Sequence, residues 1–585
     1  MEHDKLYKIR HSLAHLLAMA TIDTYPQAKL AIGPVIENGF YYDIDFGDEK
    51  IGEEHLKELQ KKMKKMASQS LPFTQVDMSE LEAREYFKDN EYKLELINEI
   101  IARDDLLTFY RTGDTFIDLC AGGHIDNTSE ISTDAFRLER VAGAYWRGDE
   151  NKPMLTRIYG VAFESKESLA SYDEMMREAK KRDHRKLGRE LDLFTFSDMV
   201  GAGLPLFTPR GTLLRNGIIN RIWDIQKQYG WEYITTPHIT KQALYETSGH
   251  WEKFGDELFK VTGKSDAQFV MKPMNCPHHT QIFASQARSY RDLPIRYAEN
   301  GVVYRDEQAG ELLGLSRVRA ITQDDGHCFC TPEQVEQEVS NIISIIRDFY
   351  NGIGMLEDGN YWVSLSVHDP ANPEKYMIRE DGLFLEAEKI LESIAKKEKL
   401  PYKRIEGEAA FYGPKLDFQF RDAIGREWQL GTVQLDFSLP ERFKLEYTDA
   451  DGEHKRPVMI HRAIAGALER FLSVYIEHTA GAFPFWLAPI QVVVIPVNTE
   501  AHGKKAQEVA TALKEAGFRA EYNNNEKVSM GKQVREAKEQ KYPYWIIIGD
   551  KDIEQNVLTL ESRDSSDHQE LTLEQVIEKF ASENR

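Results

Sequence analysis

The stretch GVVYRDEQAGELLGLSRVRAITQDDGH at 301–327 constrains this chain more than any other. Two alternating segments flank a loop rich in glycine and charge, the pattern of a β-hairpin. The spacing predicts Arg305 and Glu307 on one strand, with Arg319, Gln323, Asp325 and His327 on the other. Side chains two apart share a sheet face, so these residues form rows of functional groups. A second stretch, HRAIAGALERF at 461–471, reads as helical, with apolar positions Ile464, Leu468, Phe471 and Leu472. It sets Arg470 among core residues, where a cation needs an anionic partner. Such polar chemistry on one sheet face predicts a site that grips an anion and an amine. Taken alone, Arg-x-Glu on a strand is as readily a solvated face.

Composition bounds the rest. A length of 585 residues suits about three or four domains. A hydrophobic share of 41% with 29% charged residues is ordinary for a globular chain. The longest apolar runs, VVVI at 492–495 and WIII at 545–548, are strand-sized, so no membrane span is expected. MEHDKLYKIRHS lacks the apolar centre of a secretory signal. Four cysteines argue against a disulfide framework and for a reducing, cytoplasmic setting. The net charge of −22 does not exclude a nucleic acid, because phosphate contacts need only local basic patches. REAKKRDHRKLGRE at 177–190 is one candidate patch, with a solvated helix face as the equal alternative.

Periodicity predicts helices over about 4–24 and 52–68, strands around 40–46, and a charged helical segment over about 166–190. A helix at 211–229 leads to a strand at 231–237 that stops at Pro237. Near the C-terminus VVVIPV, a helix at 501–516, GFRAEYNN, a helix at 528–540 and YWIIIG form a βαβαβ-like unit. Two clusters invite a metal: CPHH at 276–279 and HCFC at 327–330. Spacing alone would assemble Cys276, Cys328, Cys330 and a histidine into a closed site. Strand alternation, however, turns Cys328 and Cys330 away from His327, which makes them packed thiols. In RHSLAHLLA, His11 and His15 lie one helical turn apart on one face, and DLCAGGHI adds Cys120 and His124. By spacing these four are zinc ligands or contain a Cys–His nucleophilic pair.

The hairpin and the 461–471 stretch resemble motifs 2 and 3 of the class II aminoacyl-tRNA synthetases. KPMNCPHH at 272–279, TQDDGH at 322–327, FYGPKLDF at 411–418 and EWQLGTVQLDF at 427–437 resemble the threonyl-tRNA synthetase family in particular. The match runs from about residue 1 to the C-terminus. The resemblance implies a multidomain α+β and α/β chain: an α+β editing domain at 1–165 and a helical linker at 166–195. A class II antiparallel-sheet catalytic domain at 196–487 and an α/β anticodon-binding domain at 488–585 would follow. It also implies a homodimer through the 211–237 unit, which is motif 1 in that family. Relatives commonly begin with a small ubiquitin-like domain, and a form without it is expected.

The same resemblance assigns residues. Zinc, one per chain, would be held by Cys276, His327 and His461, leaving an open position for the amine and hydroxyl of threonine. Valine lacks the hydroxyl, and a site built for a polar ligand rejects such an analogue by about 10⁴-fold or more. Asp325 would hold the ammonium group, with Gln323, Tyr412 and Gln434 nearby. For ATP, Arg305 would clamp the α-phosphate and carboxylate. Glu307 would contact adenine, and Arg470 the adenine and γ-phosphate region. Arg317, Lys415 and Gln429 would assist, with Mg²⁺ on the phosphates. Ile321 stands where relatives often carry an aromatic ring over adenine, so weaker stacking is expected. His250 matches a position proposed as proton acceptor near the terminal ribose of tRNA(Thr). Serine differs from threonine by one methyl group, worth roughly 1–3 kcal/mol, so a hydrolytic sieve is expected. His11, His15, Lys93, Asp118, Cys120 and His124 resemble that editing site, which in the family is thought to place a water without a metal. Asn525 is the RNA-contact candidate of the C-terminal domain. The competing expectation is a catalytically altered paralogue that binds RNA for regulation.

Overall fold

A computed structural model of the chain describes residues 4–149, 151–264, 267–356, 359–376, 382–525 and 527–584. The chain packs into two units, Met1–Arg177 and Glu178–Arg585.

In the first unit Asp4 accepts the Tyr7 amide and caps the helix Lys5–Thr24. This helix buries Leu13, Leu16, Leu17 and Ala20 against an antiparallel sheet. The sheet order is Lys29–Leu30, Gly39–Asp45, Met154–Ala162 and Phe136–Tyr145. The lysine-rich helix is Leu56–Ala67, and its buried Leu56, Leu59, Met63 and Ala67 follow the helical period. A small sheet of Phe73–Val76, Phe109–Thr112 and Phe116–Leu119 completes the unit with the helices Glu80–Tyr86 and Glu91–Ala102.

The second unit is organised by an eight-stranded sheet. Its order is Glu232–Tyr233, Ile295–Tyr304, Ala320–Cys330, Val458–Ala467, Glu427–Asp436, Lys415–Arg421, Tyr361–Val367 and Tyr402–Glu406. The central strands are antiparallel, and the two edge strands pair in parallel. The helices Pro209–Gln226, Val335–Gly352 and Leu468–Thr479 cover one face, where Ile342, Ile346, Tyr350, Phe418, Phe420 and Phe471 form the core. Cys328 and Cys330 are fully buried in that core. A second sheet carries parallel strands Ala520–Tyr522, Val492–Pro496 and Tyr544–Ile548, with Leu558–Ser562 and His568–Leu571 antiparallel beside them. The helices Thr499–Glu515 and Met530–Glu539 connect its parallel strands, as the sequence pattern predicts.

Four expectations need correction. The first hairpin strand ends at Tyr304 and the second begins at Ala320, so Arg305, Glu307 and Arg319 all lie in the connecting loop. The 461–471 stretch is a strand through Ala467, and the helix starts only at Leu468, so Ile464 is a strand residue. The strand expected at 231–237 is confined to Glu232–Tyr233. The charged segment 166–190 is two helices, Lys166–Arg182 and His184–Glu190. Asp183 breaks it by capping the second helix through the Arg185 amide at 2.8 Å. Its basic residues largely pair with neighbouring acids, Lys181 with Glu178 and Arg185 with Asp183 among them, as on a solvated face.

Candidate functional site

Matched registers bring the working side chains together. Across four neighbouring strands His327 lies opposite His461, His461 opposite Gln434, and Gln434 opposite Lys415. A parallel row two residues away runs through Asp325, Ala463, Thr432 and Asp417. Side chains at one register share a face, so both rows open on the side away from the aliphatic core. Cys276 joins from the start of the helix Cys276–Ala284. Ligand atoms of Cys276, His327 and His461 lie within 4.8 Å of one another, and all three residues are buried.

Each histidine is held from behind. His461 Nε2 hydrogen-bonds Asp436 Oδ2 at 2.8 Å, which leaves Nδ1 facing His327 Nε2 at 3.0 Å. His327 Nδ1 meets His279 Nδ1 at 2.8 Å, and His279 Nε2 meets Glu299 Oε2 at 3.3 Å. Such outer hydrogen bonds orient imidazoles that bind metals. With one thiol and two inward-facing ring nitrogens, the donor set suits zinc in an open, three-ligand geometry. Asp325 Oδ1 lies 3.7 Å from His327 Nε2, and Asn275 donates to Asp325 at 3.2 Å. Gln434 donates to the Gly413 carbonyl at 3.0 Å, and the Tyr412 ring lies 5.1 Å from that of His461. His250 is buried, with Nδ1 2.8 Å from Ser248 Oγ and Nε2 3.7 Å from Cys276 Sγ.

Beside this cluster lies a cleft of about 230 Å³. Arg305, Glu307, Arg317, Ile321, Gln323, Gln429 and Arg470 line it. Its floor is Ala463, Ala465, Gly466 and Ala467, whose small side chains leave room for a ligand. Arg305 lies over the Phe254 ring at 4.8 Å, and its buried Nε has no hydrogen-bond partner. A buried cationic donor left open in this way is completed by an anion. Arg470 is exposed at the rim and donates to the Ser316 carbonyl at 3.2 Å, so the expected burial among core residues applies to its neighbours and not to Arg470 itself. Arg317 pairs with Glu307 at 2.7 Å. Lys415 does not line the cleft; it pairs with Asp417, whose other oxygen accepts from Gln429 at 2.7 Å.

A second constellation lies in the first unit. Ligand atoms of His11, His15, Cys120 and His124 are within 4.8 Å of one another. His124 Nδ1 meets Ser12 Oγ at 3.2 Å, and its Nε2 meets Cys120 Sγ at 3.1 Å. Phe73 stacks on the His124 ring at 4.9 Å. Burial holds His15 and His124 far below the usual imidazole range, so both are neutral at neutral pH. Burial pushes the Cys120 thiol up to about 12, which disfavours a thiolate nucleophile. Lys93 Nζ lies 2.5 Å from Asp118 and 3.2 Å from Tyr42 Oη, all three buried. Tyr42, like Asp436 and His279, escaped the sequence reading. The alternation of YYDID around Tyr42 and the second histidine of CPHH were the available signals. Asn525 sits in an exposed turn and accepts the Lys527 amide at 3.2 Å. A third group, Asp183, His184 and Glu477, has the proximity of a metal site. Both ring nitrogens of its histidine are already engaged by the protein, which leaves none for an ion.

The comparisons fit this geometry. The family described as tRNA synthetase class II core domain (G, H, P, S and T) matches residues 259–479, and the anticodon binding domain family matches 491–583. The fold is that of a class II aminoacyl-tRNA synthetase. The threonyl and alanyl tRNA synthetase second additional domain matches 107–159, which contains Asp118, Cys120 and His124. The chain is 45% identical to the threonine–tRNA ligase of Rubrobacter xylanophilus, over 99% of this chain and 89% of that protein. It is also 45% identical to that of Thermosynechococcus vestitus, over 99% and 96%. A solved structure of the RNA binding domain of threonyl-tRNA synthetase from Cryptosporidium parvum Iowa II superposes with a TM-score of 0.65 at 36% identity. It covers 68% of this chain and 98% of that one. This chain belongs to the threonine–tRNA ligase family. It is an enzyme that joins threonine to tRNA using ATP with Mg²⁺. Among the described residues no helix is long and apolar enough to cross a membrane.

Proposed function

We propose that threonine is selected at Cys276, His327 and His461, activated in the adjoining Arg305 cleft, and policed by the histidine cluster of the first unit. The observation that carries this reading is the strand register, which sets the Cys/His cluster and the arginine cleft side by side on one sheet face. Cys276, His327 and His461 would hold zinc. When bound, the ion would act as a Lewis acid able to take both the amine and the hydroxyl of threonine, whereas valine has only the amine to offer. Asp325, beside His327, takes the ammonium group, with Gln323, Tyr412 and Gln434 around it.

In the cleft, a carboxylate oxygen of threonine attacks the α-phosphorus of ATP. A new O–P bond forms, the bond from that phosphorus to the β-phosphate bridge breaks, and pyrophosphate leaves. Arg305, whose Nε has no partner and whose Nη2 meets only the weak acceptor Met274 Sδ, holds the α-phosphate and carboxylate through this in-line exchange. Arg470 at the rim and Arg317 with Glu307 embrace the nucleotide, Gln429 faces it from the cleft wall, and Lys415 is linked to Gln429 through Asp417. Transfer then needs a base for the terminal ribose of tRNA, a role we assign to His250, which lies beside Cys276 and Tyr412. An altered paralogue would be expected to have lost part of this set.

The test is ATP–pyrophosphate exchange with threonine, serine and valine, on protein whose zinc has been counted. Strong threonine, weaker serine and negligible valine exchange are expected with one zinc per chain. Equal valine and threonine exchange would refute the selection mechanism. Ile321 covers the cleft beside Val303 and Val318. Ile321→Phe is expected to lower the KM for ATP by about 2–10-fold through stacking; an unchanged KM counts against adenine at this wall.

For editing, His11 and His15 place the water, with the Lys93–Asp118 ion pair and the neutral Tyr42 hydroxyl that bonds to both. Water attacks the ester carbonyl of seryl-tRNA, the ester bond breaks, and the ribose hydroxyl leaves with a proton. Changing His11 and His15 together to alanine is expected to slow seryl-tRNA hydrolysis by about 10²-fold or more while threonine activation persists. Hydrolysis at the parent rate would remove the cluster from the reaction. The boundaries 1–165, 166–195, 196–487 and 488–585, a homodimer through the motif 1 segment, tRNA contact at Asn525 and a cytoplasmic location complete this reading.

A further inference from the structure

The loop that carries Arg317 is anchored by a side chain outside the cleft. His184, the first residue of the helix His184–Glu190, is buried with both ring nitrogens engaged. The Leu315 amide donates to Nε2 at 3.0 Å, which makes Nε2 an acceptor and places the proton on Nδ1. Nδ1 then donates to Glu477 Oε1 at 2.6 Å, and the His184 amide donates to the same oxygen at 3.0 Å. Glu477 lies on the helix Leu468–Thr479 that carries Arg470, and its second oxygen meets Arg426.

From the loop side the fit is equally specific. Gly314 has φ +51°, and a Cβ there would stand 2.3 Å from His184 Nε2 and 2.8 Å from Arg185 Cγ. The opposite edge of the loop is held by Arg470 Nε to the Ser316 carbonyl at 3.2 Å and by Ser316 Oγ to Ser473 Oγ at 2.9 Å. Residues 314–316 are thus clamped between the linker helix and the arginine helix. The next residue is Arg317, paired with Glu307 on the cleft wall.

We propose that His184 is a positioning residue of the ATP site: by holding the Leu315 amide it sets the Arg317–Glu307 pair against the nucleotide. This rests on the assignment of the Arg305 cleft to ATP. His184→Gln can present an acceptor near the place of Nε2, whereas His184→Asn keeps an amide near Nδ1 and leaves the Leu315 amide unpaired. In the full-length, zinc-loaded enzyme, His184→Asn is expected to raise the KM for ATP about 10-fold with the KM for threonine unchanged. His184→Gln should stay within about 3-fold of the parent, despite its weakened contact with Glu477. A merely structural role would affect the two variants alike, or move both KM values together, and either result overturns the proposal. Should His184→Asn fail to fold, Gly314→Ala keeps the histidine and displaces the loop. The same selective rise in ATP KM is expected there, and an unchanged value overturns the proposal. Arg305→Ala run in parallel separates the two ideas: exchange surviving in that variant removes the cleft assignment itself.

Discussion

Alanine at Arg305 is expected to lower threonine-dependent ATP–pyrophosphate exchange by about 10²–10³-fold, the scale on which a preorganised donor to developing charge matters. Arg305 combines a place on the cleft wall with a buried, unpartnered Nε and a guanidinium 4.8 Å from the Phe254 ring. Its backbone is pinned as well, the Arg305 amide donating to the Arg319 carbonyl at 3.0 Å. The orientation is therefore paid for during folding rather than during turnover. Lysine should recover little, because a point charge lacks the planar fork that spans a phosphate and a carboxylate. Exchange within about 10-fold of the parent would show that the cleft does not use this guanidinium on the reacting atoms.

Alanine at His461 is expected to strip the enzyme of zinc and abolish threonine activation, with bound metal below about a tenth of the parent stoichiometry. Asp436→Asn, which weakens only the hydrogen bond behind His461, should cost about 10–100-fold in zinc affinity and leave some activity. The measurement is zinc per chain after dialysis, read beside exchange activity. Cys276, His327 and His461 come from a helix and two separate strands, and the strands are already paired through their own ladders. Chelated enzyme should therefore keep its secondary structure by circular dichroism. A full zinc complement in the His461→Ala protein would remove this residue from the ligand set.

Much of this site was legible because alternation survives in the hairpin: TQDDGH puts Asp325 and His327 on one face, and the strand Ala320–Cys330 keeps that order. The partner strand at 458–467 was misread for a physical reason. Its working face is His461, Ala463 and Ala465, and its opposite face is Arg462 and Ile464, so neither face reads as uniformly polar. Arg462 is buried against Asp324 at 2.6 Å and over Trp231, which a local pattern cannot reveal. Alanines also favour helix, and short apolar runs are ambiguous between the two periods. The hydrogen bonds behind the ligands were invisible because they join residues far apart in the chain, His461 to Asp436 and His279 to Glu299. The proposed zinc ligands and editing residues came instead from the ordered set of family-like motifs.

The rows running through His327, His461, Gln434 and Lys415 have one further consequence. With a single contribution per strand, the site is defined by alignment between strands and hardly at all by distance along the chain. One residue inserted between Val458 and His461 would put Ile460 where the imidazole stands and turn the histidine into the aliphatic core. Loops between these strands can lengthen or shorten without that penalty. Descendants of this sequence should accordingly accumulate insertions and deletions outside the ladder and exchange residues, one for one, within it.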